Sequence, residues 1–134
     1  MKKLNALLLM IVFLLSFAAC RGNIKNVNII NVDSELYSEV EINSAIDITL
    51  KHFKENFKGC TLTEIQYVGD DYVETFDEWA KQYEAQQAIV LVSSLDVDSS
   101  GGDGSLNPNS TYGNWKWILT RDNNKKWILK TWGY

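Results

Sequence analysis

The sequence predicts an α+β domain in which a long N-terminal helix and a shorter helix pack on one face of a curved antiparallel sheet. Three observations carry this. Residues 38–57 join a helix-start signal to an apolar stripe at helical spacing, residues 88–95 form a nearly continuous apolar run, and two Trp-rich stretches near 112–121 and 126–132 close the chain. At 134 residues, 46% hydrophobic and 22% charged, the chain fits one domain, and five Trp and six Tyr supply anchors for its core. With one His and two Cys, most metal centres, hydrolytic triads and disulfide frameworks are excluded at the outset.

The first 19 residues stand apart from that domain. Met1-Lys2-Lys3 is a positive start, Ala6 to Leu15 is an unbroken apolar run, and Ser16-Phe17-Ala18-Ala19 brings small residues up to Cys20, the pattern of a secretory signal peptide. The run is shorter than the roughly 20 residues of a spanning helix. Phe17-Ala18-Ala19-Cys20 resembles the lipobox of bacterial lipoproteins, with Phe where Leu is usual. The resemblance implies cleavage before Cys20 and lipidation of its thiol. Acyl chains at about 0.8 kcal/mol per buried CH2 would hold the protein on the outer side of the cell membrane, or elsewhere in the envelope. Cleavage removes two of the 13 basic residues and none of the 17 acidic ones, so the mature chain carries 11 against 17, a net charge of −6 that disfavours nucleic acid as a partner.

Residues 20–36 are read as the lipidated Cys and a tether, Asn-rich and able to span on the order of 50 Å when extended. Alternation around Val27 and Ile29 leaves a second reading, an edge strand. The domain proper is expected over 37–134. Ser38-Glu39-Val40-Glu41 is a capping box and Tyr37 with Ile42 a hydrophobic staple, so a helix starts at residue 39. Ile42, Ala45, Ile46, Thr49, Leu50, Phe53 and Phe57 mark its core face, and Gly59 its stop. Residues 60–68 alternate as a strand whose phase slips near Glu64, as at a bulge. Gly69-Asp70-Asp71 turns the chain. Thr75 with Glu78 reads as a second capping box, opening a helix with Phe76, Trp79, Ala80 and Tyr83 inward. Ala88 to Leu95 is a central strand, a polar loop runs from Asp96 to Ser110, and the Trp-rich strands form a final hairpin.

This order, with Trp115-Lys116-Trp117-Ile118-Leu119 and Lys126-Trp127-Ile128-Leu129-Lys130-Thr131-Trp132 at its end, resembles the NTF2-like and cystatin-like superfamilies, and within them uncharacterised small bacterial lipoproteins. The resemblance covers residues 37–134 and rests on structural motifs, so it implies a fold more than an activity. Enzymes of the NTF2-like class use an acid or His inside the cone between helix and sheet, and no ionisable residue lies on the core face of the first helix here. His52 lies on its flank.

The constellations that could carry chemistry are few. Cys60 and His52 flank the helix stop and could form a nucleophile pair, without an evident orienting partner; a small buried thiol is the better reading of Cys60. Asp96, Asp98, Ser100 and Asp103 begin like a calcium loop, but position twelve is Asn107 where a bidentate Glu is needed, so the segment reads as plain turns. No metal or cofactor is expected. Acids crowd residues 64–84, and Lys116, Arg121, Lys125, Lys126 and Lys130 crowd the final strands, read as helix-dipole partners and guards of edge strands. In the hairpin, Leu119 should face Leu129. That register would put Ile118, Ile128 and Trp132 together on the face away from the helices, and with Tyr112 they are the expected contact surface for a ligand, a second copy or an envelope partner. The function expected is a membrane-anchored envelope lipoprotein with a non-catalytic ligand- or protein-binding domain. The alternative is a small hydrolase or isomerase using a cone-lining acid or the Cys60/His52 pair.

Overall fold

A computed structural model describes residues 21–123 and 125–134. Residues 1–19, read above as a signal peptide, and Cys20 lie outside them. The fold is α+β, two helices on an open five-stranded sheet: β1 (Asn28–Ile30), α1 (Glu39–Asn56), β2 (Cys60–Tyr67), a single 3-10 turn (Asp70–Tyr72), α2 (Val73–Gln82), β3 (Gln87–Val97), β4 (Thr111–Arg121) and β5 (Ile128–Gly133). The strands lie in chain order. β2 to β5 pair antiparallel and β1 pairs parallel to β2, so the sheet is mixed.

The start of α1 follows from its side chains. Ser38 Oγ accepts from the Glu41 amide at 3.2 Å and the Glu41 carboxylate accepts from the Ser38 amide at 2.7 Å, so both halves of the capping box are made. Ile42, Ala45, Ile46, Thr49 and Phe53 are buried against Leu62, Ile65, Leu91, Leu95, Trp117 and Leu119 of the sheet. The helix ends at Asn56, and Gly59, at φ +72°, redirects the chain into β2. The β2–β3 ladder slips between Leu62 and Glu64, the bulge expected there.

Four expectations are corrected. Residues 21–36 are not a free tether: the Gly22 amide donates to the Lys54 carbonyl (3.0 Å), the Asn23 amide to Cys60 (2.9 Å), and Asn28–Ile30 pairs with Glu64–Gln66. The edge-strand reading is the one realised, because Ile24, Val27 and Val32 find apolar cover on the core. Second, α2 begins at Val73, with no side-chain cap at Tyr72. Thr75 falls inside the helix, because the 3-10 turn at Asp70–Tyr72 already starts the chain coiling. Third, the helices do not share a face. Adjacent residues of a strand point to opposite sides; Trp117 lies against Phe53 of α1 (6.3 Å between rings), whereas Ile118 shares a cleft with Tyr72, Thr75 and Trp79. At the sheet end, Phe76 reaches back to Tyr67, 5.9 Å away.

Fourth, the hairpin holds its expected register for only half its length. Leu119 faces Leu129 and Thr120 faces Ile128, but Ile118 then pairs with Thr131 and Trp117 with Trp132, leaving Lys130 as an extra residue. The bulge reverses the alternation beyond it. Trp132 therefore turns to the α1 side, 4.4 Å from the His52 ring and 6.1 Å from Trp117.

Candidate functional site

Besides a depression of about 330 Å³ beside Arg21, Thr61 and Asp98, two others indent the described surface. The larger, about 750 Å³, lies on the sheet face away from α1. Its floor is made by Val90 and Val92 of β3 and Ile118 of β4, apolar residues placed there by strand alternation. Trp79 and Thr75 of α2 with Tyr72 just before it form one wall, and Thr131, Gly133 and Tyr134 at the end of β5 the opposite one. Gln66 and Asn114 bring amides to the rim, and Lys116 is the one charged side chain of the lining. An apolar floor, aromatic flanks and a few convergent polar groups are the usual make-up of a small-molecule site.

The smaller depression, about 190 Å³, sits between the end of α1 and the Gly-rich loop, with Cys60, Phe57, Leu106, Trp115 and Trp132 among its walls. Cys60 is buried, its Sγ directed at the Lys58 carbonyl (3.7 Å), and burial together with Asp98 and Asp103 pushes its thiol above the ordinary value. His52 hydrogen-bonds not to Cys60 but to Asn56 (3.3 Å, at Nδ1), and packs against Phe57, Trp117 and Trp132. Burial holds the imidazole below its ordinary value, with Glu55 opposing. A thiol driven toward its neutral form, with no bond to an imidazole, lacks the activation a Cys nucleophile requires.

The Asp-rich loop folds onto itself. Asp98 accepts from the Ser100 amide (2.8 Å) and hydroxyl, Asp103 from the Ser105 amide (2.9 Å), and Asp96 from Thr111 Oγ1 (2.7 Å). Asp98 and Asp103 thus close turns with Ser100 and Ser105, Asp96 is bonded across the β3–β4 pair, and among the described residues no three His, Cys, Asp or Glu side chains converge.

The expected contact surface is divided by the β5 bulge. Ile118 is buried on the cleft floor, and Ile128, 55% exposed, lies on the same side of the sheet. Trp132, 41% exposed, belongs to the α1 side, and Tyr112 packs on Trp115 and Tyr134, each 5.5–5.6 Å away. The four residues do not form one patch.

Three features escaped the sequence reading. The cleft wall from α2 followed from placing that helix on the second face. Arg121, counted among the strand-guarding cations, is 7% exposed, paired to Glu41 Oε1 (2.6 Å) and Gln87 Oε1 (2.7 Å), with its guanidinium 4.1 Å from the Trp127 ring centroid. The signal was available, since Arg121 shares the parity of Trp117 and Leu119 on β4. Asp70 likewise holds a local network, accepting from Ser34 Oγ (2.6 Å), the Glu35 amide (2.7 Å) and the Tyr67 hydroxyl (2.8 Å). No protein-family model, curated protein or solved structure matches the chain.

Proposed function

We propose that the chain is a lipid-anchored, extracytoplasmic binding domain of NTF2-like or cystatin-like type, which holds a small anionic amphipathic ligand in the cleft between α2 and the sheet. The observation that carries the binding reading is the cleft lining: Trp79 and Tyr72 over a floor of Val90, Val92 and Ile118, with Lys116 its sole charged side chain. Apolar surface there favours a hydrophobic body, and a lysine with no Asp or Glu side chain in the lining favours a negative group. The long capped helix across an antiparallel meander ending in a Trp-rich hairpin supports the fold family. The Phe17-Ala18-Ala19-Cys20 sequence, outside the described residues, supports the anchor and the location.

Anilinonaphthalene sulfonate, an anionic aromatic fluorophore, is a direct probe of the cleft. Saturable binding to the folded chain is expected, weakened about three- to tenfold by Trp79→Ala and also weakened by Lys116→Ala. Binding that neither substitution changes would refute the site. For the anchor, a fatty-acid label should enter the wild-type protein and be absent from Cys20→Ser; label retained by the variant would refute it.

A further inference from the structure

We propose that the β2 start and the Asp98–Ser110 loop form a membrane-facing end of the domain, seated directly on the lipid headgroups, while α2 and the β4–β5 turn point away from the bilayer. This rests on the lipidation of Cys20 proposed above. What the structure adds is the position at which the chain leaves the fold toward that residue. Gly22 is buried against the last turn of α1, its amide bonded to the Lys54 carbonyl, and a Cβ there would run into the Phe53 carbonyl. Asn23 is fixed on both sides, donating to the Cys60 carbonyl and accepting from the Leu62 amide, each at 2.9 Å. Only Arg21 stands between Gly22 and Cys20, a span of about 7 Å even when extended.

A lipid on Cys20 can therefore reach a bilayer only if the bilayer lies against this end of the sheet. The geometry of the strands fixes what else is there. Cys60 pairs with Val97, so the loop that follows β3 emerges beside the anchor, and Arg21, Lys54 and Lys58 place three exposed cations at the same end, among the carboxylates of Glu55, Asp96, Asp98 and Asp103. At the other end Gln87 pairs with Arg121. Eleven residues of β3 separate the two ends, on the order of 34 Å at strand rise. The cleft wall built by α2 lies toward the distal end, because α2 follows the far end of β2. The bilayer is thus the partner of the loop end, and the cleft is left open to the surrounding compartment.

The test uses the full chain, processed in an exporting bacterial host and reconstituted in phosphatidylglycerol–phosphatidylethanolamine vesicles that carry nitroxide headgroups. A fluorophore is placed at Ser105→Cys or at Lys126→Cys, both exposed positions, with the buried Cys60 left in place and the unsubstituted protein as the labelling blank. The Ser105 label should be quenched several-fold more strongly than the Lys126 label. Inserting about 20 Gly and Ser residues between Arg21 and Gly22, a spacer of roughly 25 Å, should abolish the difference while the protein stays acylated. Equal quenching in acylated protein, or stronger quenching at Lys126, overturns the orientation but not the anchor. Protein that carries no acyl group on Cys20 overturns both.

Discussion

Arg121 shows how much can depend on one buried side chain. Its guanidinium neutralises Glu41, bonds Gln87 and lies on the Trp127 ring, tying the first turn of α1 to β3, β4 and the approach to β5. Truncation would strand these partners beneath the helix, so Arg121→Ala is expected to cost about 2–3 kcal/mol in urea unfolding. Arg121→Lys should recover only part, since an ammonium cannot serve both acceptors and the ring as a planar fork does. The Arg121 hydrogen bond, first among several causes, holds Glu41 below the usual carboxylate range. The unfolded chain therefore takes up that proton first on acidification. The stabilisation is complete above about pH 5 and is lost as pH falls through the carboxylate range. His52 acts in a separate window. The fold disfavours its protonated form, so stability should decline as pH falls below about 6.5. His52→Phe should flatten that segment of a pH series of unfolding midpoints and leave the acid limb intact. Removing the ring above it in Trp132→Ala should move the His52 titration, followed by NMR, upward toward about 6.5.

At the scale of elements, a helix start is worth what its bonds are worth. Ser38→Ala removes a side chain that accepts from the Glu41 amide, and about 1 kcal/mol of stability should go with it. Thr75→Ala removes no cap, because the chain is already helical two residues earlier, and its unfolding midpoint should stay close to wild type. The same local pattern, Ser or Thr followed three residues later by Glu, thus has two outcomes. A capping box forms only where the Ser or Thr itself is extended, as Ser38 is, with ψ 160°. Strand alternation was equally legible at Trp115, Trp117 and Leu119 and at the β2 bulge. It failed beyond Leu129 because nothing in Lys130-Thr131-Trp132 marks where an extra residue is absorbed. That choice depends on whether an indole gains more from His52, Phe57 and Trp117 than from an open face, which is a tertiary question.

Across the whole molecule, the order of elements from α1 onward was readable from periodicity, whereas the side of the sheet taken by α2 was not. The cleft depends on that side, so the site was hidden even though its floor residues, Val90, Val92 and Ile118, belong to strands whose alternation is plain. The N-terminal segment was hard to read for another reason. Its Asn-rich composition looks solvated, and only the company of Gly22 with Phe53 and of Asn23 with β2 makes it part of the sheet. A sheet that stays open also has two rims exposed to other chains, and the rims are treated differently. The β1 rim is three residues long and offers little template for addition. The β5 rim is twice that, and the misfit at Lys130 interrupts its ladder beside the exposed Ile128 and Trp132. Deleting Lys130 would let Leu129 and Thr131 pair with Leu119 and Ile118 without interruption, giving a continuous, less charged border. The variant should remain folded yet self-associate, with a rise in weight-average mass in sedimentation and slow growth of light scattering. The bulged lysine would then be a safeguard against fibrous assembly, and its removal a change felt between molecules more than within one.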